Sequence, residues 1–181
     1  MGQENKRKKK NEKRNNRKDL VQTEIGYITY HANQGSQESV TTVSKEGRQV
    51  PLLSNMFSFV GHTFVEWNTS PFKRGHVYYP GDVIEVKGEI SLYAIWKSEV
   101  PILHPFTIKN HILSGEGVPN SQIVVIFPNM YHVDTVVPAH GHFEIEIPPL
   151  AKPLEIGEVI SVYQTEYNMY KSDAIKVNIS A

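Results

Sequence analysis

Apolar and polar residues alternate along most of the chain after Asp19. In "IGYITYHA" Ile25, Tyr27 and Thr29 fall on one side, and Ile28 and Tyr30 on the other. "ESVTTVS" is a short β-branched run. "HTFVEW" sets Phe64 and Glu66 against Val65 and Trp67, and "DVIEV" and "SLYAIW" repeat the pattern on either side of Lys87-Gly88-Glu89. A period of two places successive side chains on opposite faces of a strand. Short strands at close spacing, separated by turns such as "ANQGS", predict a small β domain. "VPLLSNMFSF" departs from this: Leu52, Leu53, Met56 and Phe57 lie at helical spacing and predict one helical turn.

"KSEVPILHP", residues 97–105, has two prolines and no regular period, and reads as a linker. A second strand-rich region follows. "HILSGEGVPNSQIVVIF" holds a strand, a Gly/Pro/Asn turn and a longer apolar strand, and "YHVDTVV" and "FEIEIP" come next. In the last, Phe143, Ile145 and Ile147 face inward while Glu144 and Glu146 face water. "EVISVYQTE" follows, and then "AIKVNIS", in which Ile175, Val177 and Ile179 alternate with Lys176 and Asn178. About seven short strands without a helical stretch predict an immunoglobulin-like sandwich. The expectation is an all-β chain: an arm over 1–21, a β domain over 22–97, a linker over 98–104 and a β-sandwich over 105–181.

The first β region carries "YITYHANQG" (27–35), "GHTFVEWNT" (61–69), "YYPGDVIEV" (78–86) and "LYAIW" (92–96). In order and spacing these resemble the internalin-type B repeat, also called the Listeria–Bacteroides repeat, over about residues 26–96. Glu66 stands where that family usually has Gly before the first Trp. The resemblance implies a small β-grasp-like fold, used as a repeated module in surface proteins of bacteria, with no catalytic activity. Residues 105–180 resemble a bacterial Ig-like domain of surface adhesins, through "LSGEGVPNSQIVVIFPN" (113–129), "HGHFEIEIP" (140–148) and "LEIGEVISVYQTE" (154–166). Asn120 replaces the Gly of that family's Pro-Gly turn, and Asn tolerates left-handed backbone. On this reading Phe64, Trp67, Tyr93 and Trp96 are core residues, and one of Tyr78 and Tyr79 faces outward.

Charge adds what the strand pattern does not show. The formal net charge is zero, but residues 1–18 hold nine basic and two acidic residues, a net +7, so the remaining chain is −7. Lys6, Arg7, Lys8, Lys9, Lys10, Lys13, Arg14, Arg17 and Lys18 form a basic arm ahead of an acidic body. Such runs are interaction tails for acidic surfaces. The arm has no aromatic residue on which a base could stack, which argues against single-stranded nucleic acid. There is no cysteine among the 181 residues, so disulfides, thiol nucleophiles and thiolate metal sites are excluded. No apolar run approaches the roughly 20 residues of a membrane helix. No apolar segment of signal-peptide type follows the basic start, so export by the usual route is not expected.

No residue pattern announces a chemistry. His140 and His142 flank Gly141 in a turn and are expected to be solvated; no acidic or thiol cluster completes a metal site with them. "SGEGVPN" lacks the Lys-Ser/Thr ending of a phosphate loop. Glu144 and Glu146 alternate with apolar residues as an outer strand face does, not as an acid–base pair. The expectation is a non-enzymatic structural or adhesion protein without cofactor or metal. The leading reading is a virion component of a phage, made in the host cytoplasm, anchored through its arm to protein partners and displaying two β modules to a cell-surface glycan or protein ligand. A fragment or relative of a Gram-positive surface adhesin, secreted or on the cell surface, is the second. A nucleic-acid-associated protein is the third, disfavoured because the acidic body repels the phosphates that the arm would attract.

Overall fold

The computed structural model describes residues 23–106, 111–149 and 154–180, and every regular element among them is a β-strand. The N-terminal half contains β1 (Ile25–His31), β2 (Ser39–Lys45), β3 (Gln49–Pro51), β4 (His62–Asn68), β5 (Val77–Tyr78), β6 (Val83–Glu85) and β7 (Glu89–Ser98). Five of them form a mixed sheet in the order β2-β1-β7-β4-β5. β1 and β7 run parallel at its centre, with Tyr27 opposite Glu89 and His31 opposite Tyr93, and the other neighbours are antiparallel. The fold is β-grasp-like. The side that a helix would cover is closed by the short β3–β6 ladder and by the extended segment from Leu52 to Phe59.

That segment was expected to make a helical turn, and it does not. Its backbone is satisfied by core aromatic residues instead. The Leu53 N–H donates to Tyr30 Oη at 3.2 Å, and the Leu53 carbonyl accepts from Trp67 Nε1 at 2.9 Å. Asn55 then clamps Phe57 through both its amide atoms. With these groups already paired, an i→i−4 ladder has nothing to gain. Leu52 and Phe57 are buried, while Leu53 and Met56 are exposed.

Two further side chains depart from the simple alternation. A bulge between Phe64 and Glu66 interrupts the pairing of β4 with β7. An extra residue in one strand flips the alternation. Phe64 therefore shares the core side with Trp67, their ring centroids 4.9 Å apart. Tyr93, expected in the core, lies on the opposite face between buried Leu92 and Ala94, stacked on His31 at 4.6 Å. Of the adjacent tyrosines, Tyr78 packs against the core and Tyr79 is exposed.

The C-terminal half is a sandwich of seven strands: β8 (Ile102–Leu103), β9 (Ile112–Glu116), β10 (Gln122–Ile126), β11 (His132–Val136), β12 (His142–Glu146), β13 (Val159–Thr165) and β14 (Ile175–Asn178). One sheet is ordered β11-β10-β13-β14 and the other β12-β9-β8, an Ig-like arrangement. Ile123, Val125, Ile160 and Val162 from the first meet Leu113, Phe143 and Ile145 from the second. Asn120 takes the left-handed conformation its turn requires, with φ of 67°.

β8 lies within 98–104, the stretch read from the sequence as a linker, and pairs with β9 through Ile102↔Glu116 and Leu103↔Gly115. Gly115 makes this approach feasible. A Cβ there would collide with the Ile102 carbonyl oxygen and press on the Phe143 ring. Gly115→Ala is expected to destabilise the protein by about 1–3 kcal/mol, the range for overpacking a close contact. Denaturant unfolding measures this; a variant within about 0.5 kcal/mol of wild type would mean that β8 is not seated as described.

Candidate functional site

The nine basic residues of the arm, Lys6 to Lys18, lie outside the described residues. Among the described residues, polar side chains gather where the two halves meet. β1 ends beside Tyr93, leaving one edge of β7 open from Trp96 to Ser98. The loop after β13 fills it. Tyr170 N–H donates to the Trp96 carbonyl at 2.9 Å, and Ser98 N–H donates to the Tyr170 carbonyl at 3.1 Å. Tyr170 thus stands in line with β1, bridged in parallel to Lys97. The C-terminal half holds the base of this loop through Gln164 and Ser172: Gln164 N–H donates to the Ser172 hydroxyl, and Ser172 N–H to the Gln164 carbonyl.

Side chains reinforce the backbone contact. Glu166 Oε1 accepts from His62 Nε2 at 2.8 Å and from the Ser98 hydroxyl at 2.5 Å. The His62 ring stacks on Phe59, centroids 3.8 Å apart, and its Nδ1 lies 2.8 Å from the Val60 carbonyl. Tyr170 donates its hydroxyl to Glu66 Oε2 at 3.1 Å. Burial raises the Tyr170 pKa, and the Glu66 carboxylate that accepts its proton raises it further. Glu66 is itself buried and also accepts from Asn68. The carboxylate that stands in place of the family's usual Gly is therefore a docking residue for the other half. Lys73 Nζ donates to the Met169 carbonyl and lies 4.3 Å from the Tyr170 ring centroid, while Lys97 pairs with Asp173 at the exposed rim. Gln164 completes the contact, accepting from Val118 N–H and donating to the Glu99 carbonyl.

Ser98, His62 and Glu166 are the three residue types of a hydrolase triad in the wrong order. A nucleophile needs its hydroxyl on the imidazole, with the carboxylate behind the ring. Here the carboxylate sits between the other two, so His62 cannot take the Ser98 proton, and Ser98 is buried. The arrangement ties the two halves together and lacks the Ser–His contact that a triad nucleophile needs. His140 and His142 are exposed, their rings 5.6 Å apart, with Glu116 Oε1 3.7 Å from His142 Nδ1. No group of three or more His, Asp or Glu side chains among the described residues is placed to hold a metal ion. Among those residues no helix is long and apolar enough to cross a membrane.

No curated protein matches the chain. Among solved structures it is similar to a biofilm associated protein, BSP domain, at 13% identity and a TM-score of 0.39, over 86% of this chain and 24% of that one. The chain spans about a quarter of that protein's length. Residues 27–95, running from β1 into β7, match the model of the Listeria-Bacteroides repeat domain, and over that span the chain is similar to this family.

Proposed function

We propose that the chain is a non-enzymatic structural and adhesion protein, displaying its two β halves as one stiff unit and attaching to a larger assembly through its basic arm. The observation that carries this reading is the junction: Tyr170 extends the sheet of the other half, and Glu166 is bonded to two of its side chains. Two halves fixed in this way keep a ligand surface at a set distance from an anchor, which a displayed protein needs and a flexible tether does not supply. The similarity over 27–95 to a module used in bacterial surface proteins supports a surface setting. Phe72, Tyr79 and Tyr167 are exposed, and aromatic side chains of this kind suit a cell-surface glycan or protein ligand. The opposed charges of arm and body support attachment to an acidic protein surface. A phage particle is the assembly we favour, and a bacterial cell surface is the second reading.

Deleting residues 2–18 is expected to leave the β halves folded and to abolish co-sedimentation with the assembled particle. Attachment of the intact chain is expected to weaken with salt, since exposed charge pairs are screened over about 8 Å at physiological ionic strength. Equal co-sedimentation of both forms across a salt series would move the attachment surface onto the β halves. Peptide mass spectrometry of purified particles and of host cell-wall fractions separates the phage setting from the bacterial one.

A further inference from the structure

His62 has two hydrogen-bond partners, and neither can donate to it at neutral pH. Nδ1 faces the Val60 carbonyl and Nε2 faces Glu166 Oε1, each at 2.8 Å. A carbonyl only accepts, and so does an ionised carboxylate, so both ring nitrogens must carry protons. Neutral imidazole has one N–H. Only the imidazolium satisfies the arrangement. The side chain is 1% exposed and stacked on Phe59, so water cannot replace a lost partner. We propose that the junction is a pH-responsive clasp, closed while His62 is protonated and loosened when it gives up its proton.

The charged groups facing the ring come from both halves. Glu166 approaches from the loop after β13, and Glu99, just beyond β7, adds a second negative charge. Farther along the junction lie Glu66 with Tyr170, Lys73, and the Lys97–Asp173 pair. Burial pulls the His62 pKa down. The bond to Glu166, the bond to Val60 and the charges of Glu166 and Glu99 outweigh it, and the net direction is up. For Glu166 burial pushes the carboxyl up, but the bonds from His62 and Ser98 and the imidazolium charge hold it below its ordinary value.

The signs follow. His62, raised in the folded state, contributes stability that is complete below its ordinary value of about 6.5 and is lost as pH rises through the folded value. Glu166, depressed, contributes stability that is complete above its ordinary value of 4.5 and is lost as pH falls through the folded value. The clasp is tightest between these limits. Above them, neutral His62 must abandon either Val60 or Glu166; if Glu166, its part-buried carboxylate keeps only the Ser98 hydroxyl. The backbone bonds of Tyr170 to β7 lie next to this contact and report on it. The clasp does not depend on how the arm attaches or on what the aromatic surface binds.

The test uses the full ¹⁵N-labelled chain from about pH 5 to about pH 9. His62 is expected to show imidazolium nitrogen shifts up to a pH above its ordinary value. Amide protection at Ser98 and Tyr170, corrected for intrinsic exchange, should fall about tenfold for each unit through which the His62 pKa is raised. Protection at Leu92 in β7 and Val125 in β10 should hold. His62→Gln, whose amide group still donates to one partner and does not titrate, should flatten the profile; if that variant does not fold, the wild-type measurements decide alone. A neutral single tautomer of His62 at mildly acidic pH would overturn the proposal. So would flat protection at Ser98 and Tyr170, or an equal fall at all four amides.

Discussion

Trp96→Ala is expected to cost about 3–5 kcal/mol of stability, the range for truncating a buried aromatic residue. The indole is 2% exposed and meets Phe59 and Phe64 edge-on. Its Nε1 donates to the Ala32 carbonyl at 2.7 Å, where Ala32 is itself fully buried. Truncation therefore removes the ring's contacts and also orphans a carbonyl that water cannot reach, which places the loss toward the upper end. Denaturant unfolding reads the effect. A loss under about 1 kcal/mol would show the ring to be exposed and not part of the core.

Glu166→Ala is expected to cost about 3 kcal/mol, the lower end for breaking a buried ion pair by removing one partner. The lower end applies because Glu166 retains some exposure and because His62 can shed its proton once the carboxylate is gone. Both tryptophans, Trp67 and Trp96, lie in the N-terminal half. Their fluorescence follows that half alone, whereas far-ultraviolet circular dichroism follows both. The two unfolding curves should coincide in the wild type and separate in the variant. Coincident curves at an unchanged midpoint would remove Glu166 from the docking contact.

Much of the fold was legible because burial on one face writes itself into the sequence. "FEIEIP" and "AIKVNIS" state which side chains point inward, and the structure places Phe143, Ile145, Ile147 and Ile179 in the core. Gly, Pro and Asn between the runs mark where strands end. The exceptions share a cause. At Leu53, backbone groups are claimed by Tyr30 and Trp67, distant in sequence, so local spacing suggested a helical turn that does not form. At Val65 a bulge inverts a pattern that otherwise alternates, and nothing local announces it. The junction was the least legible part, since His62 and Glu166 lie 104 residues apart. One trace of it stood in the sequence. Glu66 is a carboxylate inside an apolar strand, at a position where the resembling family has no side chain, and an interior charge implies a partner brought from elsewhere.

The place taken by Tyr170 also fixes an order of events during synthesis. The edge of β7 from Trp96 to Ser98 exists once the N-terminal half has emerged, but the residue that closes it arrives about 70 residues later. At roughly 5–20 residues per second, that delay is on the order of 4–14 seconds. Throughout it, the nascent chain presents a short row of unpaired amides and carbonyls beside a hydrophobic core that still awaits Met169. The same row is open to the loop of a neighbouring chain on the same messenger until Tyr170 emerges, and from then on the tether favours return of the loop to its own sheet.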